Sequence, residues 1–479
     1  MTLTADEVRA RLVAMREHDL PTHGGRTLAY VYDSGRPDVD EVAREAVAAY
    51  AATNGLDPSA FPSVATMERE VVGLAARVLQ APEGYAGTVT SGGTESCLLA
   101  VLAARDARPD VARPQLVAPT TVHAAFHKAA HLFGVELVLV DVDPVTFRAD
   151  PAAMAAAITD RTVLVVVSAP SYAHGVIDPV GAIAEAASSR GIRCHVDACI
   201  GGWVLPFLGA DGADRADGSG LRPDWSFDVP GVTSVSADLH KYGYAPKGVS
   251  VLVHRSMALR HSQFWATTDW PGYGVVNSTL QSTKSAGPLA AAWATTQLLG
   301  EQGYAALARQ AREGTLAIAA GVGGIPGLRV LAPPDSTLLA VTTDETCDPY
   351  SVCDELLERG WYAQPQLPFR GGPASIHLTV SAATTPLVPQ FLAALRESVA
   401  AARAAGPVGV DPALAGLLQT LDPATFDEAA LGGLLRAAGL AGTGEGLRLP
   451  TRMAPIHALL AACPVSLRAV LLTAVVERL

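Results

Sequence analysis

The sequence predicts an α/β protein: a large domain on a mostly parallel sheet covered by helices, followed by a smaller α+β domain. Three observations predict it. From Tyr85 to Val253, short strand-like runs alternate with helical stretches. Several of the strands, above all Thr162–Ser168, are apolar along their whole length, as strands buried on both faces must be. Beyond residue 300 the alternation gives way to a long alanine-rich helix, two strand segments and a closing helix. The chain has 479 residues, 49% of them hydrophobic and 17% charged, ample for a large core and for more than one domain.

In order, residues 1–60 read as an N-terminal arm, with a first helical segment, a loop and an alanine-rich helix over Val39–Thr53. Phe61–Leu79 has Met67, Val71, Leu74 and Val78 on one helical face. Residues 61–300 form the large domain. Its strands are expected at Gly87–Thr90, Gln115–Ala118, Val135–Val140, Thr162–Ser168, Ile192–Asp197, Val232–Ala237 and Val249–Val253. Helices Glu95–Arg105, His123–Phe133, Pro151–Ile158 and Val180–Arg190 lie between them. The polar, glycine-rich segment Gly209–Asp224 is expected as a surface loop. Helix Leu289–Leu299 leaves the domain. Residues 301–405 form the small domain, with helix Gly303–Val322, strands Leu328–Val341 and Ile376–Val380, and helix Leu387–Ala405. Residues 406–479 are a helical extension.

Bulk properties exclude several classes. A net charge of −12 argues against nucleic-acid binding. The six cysteines are scattered, form no CxxC pair and fit a reduced, cytoplasmic chain. The charged, amphipathic N-terminus is no signal peptide, and no apolar stretch approaches the ~20 residues that span a bilayer. No metal-ligand motif stands out.

Chemistry is expected at strand ends, because an open α/β sheet binds ligands outside the carboxyl ends of its strands. The stretch SADLHKYGYAPKG places Lys241 between two buried strands. Burial there is expected to lower its pKa and leave an amine able to form a Schiff base. Taken alone, the same lysine would suit an exposed hairpin. Ser91, Gly92, Gly93 and Thr94 join a strand to a helix, as an anion cradle or an ordinary tight turn. The GxxxxGK[ST] of a nucleotide loop is missing, so the anion would be a single phosphate. Asp197 ends an apolar strand and needs a partner, for which a protonated ring nitrogen would serve. His123 opens a helix and either caps it or stacks on a flat ring. His174 is either a turn histidine or a site residue. A phosphate cradle, a stacking imidazole, a buried aspartate and a Schiff-base lysine together describe pyridoxal 5'-phosphate (PLP).

The motifs TSGGTESCLLAVLAARD, HAAFHKAAHLFGV, SAPSYAHGVIDP, HVDACIGGW and SADLHKYGYAPKG closely resemble the sphingosine-1-phosphate lyase family. That family belongs with the type-I-fold PLP enzymes of the glutamate-decarboxylase-like group. The resemblance runs from about Tyr32 to about Ala400 and includes TTDWPGYGV. It implies that Lys241 holds PLP as a Schiff base, with His240 near the phosphate. Gly92, Gly93 and Thr94 would cradle that phosphate, with Ser236 reaching it. His123 would stack on the ring and Asp197 would pair with its nitrogen. It implies a homodimer whose sites use both subunits. Tyr32, Asn54 and Lys247 match positions for the substrate's polar head.

Departures concern the substrate. Where the family has NPLHPDIFPG this chain has NGLDPSAFPS, which puts Asp57 at a phosphate-facing histidine; an aspartate repels a phosphate. STKSAG replaces a GSRPG loop, so Lys284 stands at an arginine and loses its bidentate fork. His127 replaces an asparagine, and the membrane anchor of the eukaryotic members is missing. The leading expectation is a carbon–carbon lyase acting on an amino compound with a β-hydroxyl. The alternatives are an amino-acid decarboxylase, with Arg370 as a carboxylate partner, and a non-catalytic binding protein of the same fold.

Overall fold

The computed structural model describes residues 2–208, 224–423, 432–433 and 450–477. The expected loop over 209–224 lies outside them except for its last residue.

Seven strands make the main sheet: β1 (Ala86–Thr90), β2 (Gln115–Pro119), β3 (Glu136–Val140), β4 (Thr162–Ser168), β5 (Arg193–Asp197), β6 (Ser234–Ala237) and β7 (Ser250–His254). Their order is β1-β7-β6-β5-β4-β2-β3. β7 runs antiparallel to both its neighbours, and the other pairings are parallel. Six strands therefore end at the same edge. Every residue of β2 and of β4 is buried, as their unbroken apolar runs require.

Three helices precede the sheet: α1 (Ala5–Met15), α2 (Pro37–Ala49) and α3 (Pro62–Val78). Met67, Val71 and Leu74 of α3 are buried, as their spacing predicts, and each contributes roughly 1.5–3 kcal/mol by leaving water. Helices α4 (Gly93–Asp106), α5 (Ala124–Phe133), α6 (Pro151–Ala157) and α7 (Val180–Ser188) connect successive strands. The short α8 (Met257–His261) follows β7. A hairpin of β8 (Trp265–Thr267) and β9 (Val275–Asn277) then leads to α9 (Gly287–Val322). Gly300, at φ 56°, kinks α9 where the sequence suggests two helices.

A second sheet, in the order β10-β11-β13-β12, is antiparallel throughout: β10 (Leu328–Val330), β11 (Leu338–Thr343), β12 (Gln364–Gln366) and β13 (Ser375–Thr379). The single strand expected over Leu328–Val341 is in fact two. Pro333 and Pro334 cannot donate to a ladder, so the chain turns there. Helices α10 (Pro349–Glu358) and α11 (Val388–Ala405) cover this sheet over a separate core that includes Trp361 and Phe391.

After Gly406 come the helices Pro412–Thr420, Ala454–Ala462 and Val465–Val476. They share a small core of Leu418, Cys463, Leu467 and Leu471. Asp354 of α10 accepts the Met453 and Ala454 amides, both at 2.9 Å, which docks this extension on the small sheet's helix. Among the described residues no helix is long and apolar enough to cross a membrane.

Candidate active site

A cavity of about 400 Å³ opens at the carboxyl edge of the main sheet. The turn after β1 forms one wall. The Ser91 amide donates to Glu95 Oε2 at 2.6 Å, and Glu95 Oε1 takes the Leu280 amide at 2.8 Å. This closes the turn and leaves the first amides of α4 pointing outward without intrahelical acceptors. Gly92 has φ +151°, and a Cβ on it would lie 3.1 Å from His240 Cε1. A Cβ on Gly93 would lie 2.5 Å from Asp238 Oδ2 and 2.8 Å from Cys199 Sγ. Side chains at either position would fill the cradle.

His123 caps α5. Its Nδ1 accepts the Ala125 amide at 3.2 Å, so the neutral ring carries its proton on Nε2. Asp197, buried at the end of β5, accepts the Cys199 amide at 3.1 Å. Lys241 lies just past β6. Its Nζ is 2.9 Å from Asp238 Oδ2, and His240 Nε2 is 3.4 Å from the same oxygen. His240 Nδ1 accepts the Gly248 and Val249 amides at 3.3 and 3.2 Å, which fixes its ring.

The expectation that burial lowers the Lys241 pKa is corrected by this ion pair. Burial pulls the amine down most, but Asp238, only 1% exposed, together with Tyr32 and Cys199 outweighs it and holds Lys241 well above its ordinary value. Conversely, burial would push the Asp238 carboxyl up, but Lys241 and then His240 hold it well below the usual range. Without cofactor, the lysine is an ammonium.

Of the residues singled out from the sequence, Ser91, Gly92, Gly93, Thr94, His123, Asp197, His240 and Lys241 line this cavity. Ser236 does not. Its buried hydroxyl is engaged by His195 Nε2 at 3.2 Å and by the Cys199 thiol at 3.3 Å, beneath the cavity floor. Tyr32 and Lys247 sit together beside it. The Lys247 amine donates to the Tyr30 carbonyl at 2.9 Å and lies 4.8 Å from the centre of the Tyr32 ring. Burial against these groups, and then the Lys241 charge, lower the Lys247 pKa to about 8. Burial raises Tyr32 to about 12, against the pull of Lys241.

Asn54, Asp57 and Lys284 lie off the cavity wall. Asn54 Oδ1 accepts the Leu56 amide at 3.0 Å. Asp57 is exposed and accepts the Ser59 hydroxyl and amide at 2.6 and 2.8 Å, which hold its carboxyl below its ordinary value. Lys284 Nζ is 3.2 Å from both Glu68 oxygens and 2.9 Å from the Val89 carbonyl.

His174 belongs to a neighbouring groove of about 860 Å³, stacked on Phe147 with ring centres 4.1 Å apart. Burial lowers it to about 4, so it is neutral at pH 7. Arg370 lines the same groove, exposed and paired with Asp141 at 2.8 Å.

Sequence reasoning missed Asp238, Cys199 and Tyr172, which also line the cavity. Asp238 had a signal: a lysine buried between strands needs a counterion, and Asp238 is the acidic residue within one turn of it. Tyr172 had none. Its place depends on Gln364 and His377 of the small sheet, distant in sequence.

A sequence model of the pyridoxal-dependent decarboxylase conserved domain matches residues 28–321. A model of a C-terminal domain of pyridoxal-dependent enzymes matches residues 412–478. The chain belongs to the pyridoxal-dependent decarboxylase family.

Within that family it is similar to the sphingosine-1-phosphate lyase of Dictyostelium discoideum, 37% identical over 76% of this chain and 67% of that one. It is 34% identical to sphingosine-1-phosphate lyase 1 of Rattus norvegicus, over 83% of this chain and 68% of the other. The chain spans about two thirds of the length of these relatives. Among solved structures, the sphingosine-1-phosphate lyase of Burkholderia pseudomallei superposes with a TM-score of 0.77 at 34% identity, over 85% of this chain and 92% of that one. The glutamate decarboxylase of Lactobacillus brevis, at 18% identity and a TM-score of 0.73, shares the fold. The fold is that of the PLP-dependent type-I enzymes, and the chain is a PLP-dependent lyase. The cavity fits that cofactor: a glycine cradle that any Cβ would fill, a buried carboxylate, an imidazole on the wall and an amine meet around a space of suitable volume.

Proposed function

We propose that this chain is a carbon–carbon lyase that cleaves the Cα–Cβ bond of an amino compound bearing a β-hydroxyl and releases an aldehyde. The observation that carries the reading is the convergence of Lys241, Asp197, His123 and the Gly92–Gly93 turn on one cavity, in a chain whose relatives are sphingosine-1-phosphate lyases. Bound PLP supplies an aldehyde for an amine and a ring that accepts electrons from a breaking bond.

Lys241 would hold the cofactor's aldehyde. The first amides of α4, with Thr94 and His240, would hold its phosphate, helped by the helix dipole. His123 would stack on its ring, and Asp197 would keep the ring nitrogen protonated. Asp238, 2.9 Å from Lys241, would keep the freed amine protonated as an ammonium. Tyr32 and Lys247, at the cavity's side, take the polar head of the substrate. Asp57 and Lys284 are engaged within their own chain, so a phosphate on the substrate has no ready partner in either.

The active unit we propose is a homodimer in the cytoplasm, with each site completed by the partner. The β8–β9 hairpin region exposes Trp265, Trp270 and Tyr273, and α1 buries none of its residues. Apolar surface of this extent calls for a cover. The domain division we propose is 1–60, 61–300, 301–405 and 406–479.

The test is incubation with a β-hydroxy amine and, separately, with amino acids, assaying aldehyde and carbon dioxide. Aldehyde from the amine is expected; carbon dioxide without aldehyde would reject the lyase. Borohydride should trap PLP on Lys241, and a colourless protein with no trapped adduct would favour a non-catalytic role.

A further inference from the structure

Beneath the cavity floor, three side chains from two elements converge. Cys97 is the fifth residue of α4, Asp197 ends β5, and Cys199 follows it by two residues. One ligand atom from each lies within 4.8 Å of the others, and all three residues are buried. We propose that Cys97, Asp197 and Cys199 bind one thiophilic divalent cation, zinc or cadmium, and that a cation held there excludes the cofactor.

The donor set suits such an ion. Zinc takes thiolates at ~2.3 Å and carboxylates at ~2.0–2.2 Å in a tetrahedron, so its ligand atoms stand ~3.5–3.8 Å apart. The three atoms already lie within 4.8 Å of one another, no more than ~1.3 Å beyond that spacing. Asp197 and Cys199 also line the cavity, whereas Cys97 does not, so the fourth coordination position opens onto the space the cofactor would take. The Lys241 charge, which acts on Cys97, is paired with Asp238 at 2.9 Å.

Free of metal, the pair is two neutral thiols. Cys199 shares a hydrogen bond with Cys97 and donates to Ser236 Oγ at 3.3 Å. That shared bond, then burial, holds the Cys199 thiol well above its ordinary value; for Cys97 the bond pulls down, and burial with the Asp197 and Asp238 charges outweighs it. Cation binding forms two metal–sulfur bonds and one metal–oxygen bond, releases both thiol protons to buffer and transfers no electrons. It also takes the carboxylate that a ring nitrogen would need. Metal binding stands on the three ligands alone. Only the competition rests on the cofactor reading above.

The test uses the full-length chain stripped of cofactor and titrated with cadmium, then zinc. One equivalent of cadmium per chain and a near-ultraviolet thiolate charge-transfer band are expected. The band should be lost in Cys97→Ala and in Cys199→Ala, with circular dichroism confirming the fold and Cys97→Ser serving as the size-matched variant. With zinc at ten times its Kd, the apparent Kd for PLP should rise about tenfold in the parent chain and stay unchanged in Cys97→Ala. A full band in the Cys97 variants would overturn the site, and unchanged PLP uptake under zinc in the parent chain would overturn the exclusion. A normal cadmium band in a chain that never takes up PLP would leave the metal site standing and reject the cofactor reading instead.

Discussion

Replacing Asp238 with asparagine tests the electrostatics of the site most directly. Asp238 is 1% exposed, and its partner Lys241 has a side chain 19% exposed. The pair is 2.9 Å apart. Stranding one partner of such a pair costs about 3–5 kcal/mol. Lys241 can limit the cost by losing its proton. Without Asp238, burial is left to pull the amine below its ordinary value. The sign follows from linkage: a lysine whose folded pKa is depressed loses stability as pH falls from its unfolded value through its folded one, so the defect should deepen from pH 10 to pH 8. The assay is urea unfolding of the cofactor-free chain, followed by tryptophan fluorescence, in a cycle with Lys241→Met. Each single variant strands a buried charge, and the double variant strands none, so a coupling of about 3 kcal/mol is expected. In Asp238→Asn, formation of the borohydride-reducible PLP adduct should also extend to lower pH, because the free amine is available there. A coupling below about 0.5 kcal/mol together with an unshifted pH profile would refute the claim that Asp238 holds Lys241 protonated.

Gly93→Ala would place a Cβ 2.5 Å from Asp238 Oδ2, and overpacking of about 1–3 kcal/mol should weaken PLP binding roughly tenfold to a hundredfold. Equilibrium titration with PLP reads this directly, and an unchanged Kd would show that the turn is no cradle. His195, His254 and His377 are buried, and burial lowers them to about 4, 3 and 3. Their depressed folded pKa values contribute stability above pH 6.5 that is lost as pH falls toward 4; between pH 7.5 and 5 each should cost about 2 kcal/mol. His195→Gln should remove about one such share of the pH dependence of the urea midpoint. Lys284→Met should lower stability by about 1–3 kcal/mol through the stranded Glu68 carboxylate. The ratio of KM values for a phosphorylated amine and its free counterpart should not change, and a ratio that rises would make Lys284 a substrate anchor.

The main sheet was legible because its strands carry their burial in their composition. Thr162–Ser168 is apolar from Val163 to Val167 and buried throughout, and Asp197 ends a strand in sequence as it does in space. The cradle was legible for a related reason: consecutive glycines after a strand have few uses, and Gly92 adopts a φ that favours glycine. The small sheet was harder. Its strands are short, and β12 has the sequence Gln364-Pro365-Gln366, which pairs only because β13 presents an edge. Lys241 lines the cavity between the strands named for it, and its charge was misjudged. Burial was read from its neighbours in sequence, whereas the sign of the pKa shift was set by Asp238 first and by Tyr32 and Cys199 with it.

The substrate positions resisted for a different reason. The residues proposed to hold the cofactor are presented by strand ends of one sheet, so their relative places follow from strand order. Asn54, Asp57 and Lys284 come from loops outside that order, and their side chains answer to local partners. Asp57 stabilises its own turn through Ser59, and Lys284 joins Glu68 of α3 to the carbonyl of Val89 in β1. A residue standing where relatives would bind a phosphate is thereby recruited into holding the chain together. A charge committed in this way cannot serve a ligand without first breaking a bond, and Glu68 would then lose its only salt-bridge partner among the described residues. Relaxed selectivity for the head group, with the cofactor chemistry retained, is the behaviour this arrangement favours. It is measurable as the KM ratio between phosphorylated and free β-hydroxy amines, expected to lie within about tenfold of unity, a difference of ~1.4 kcal/mol.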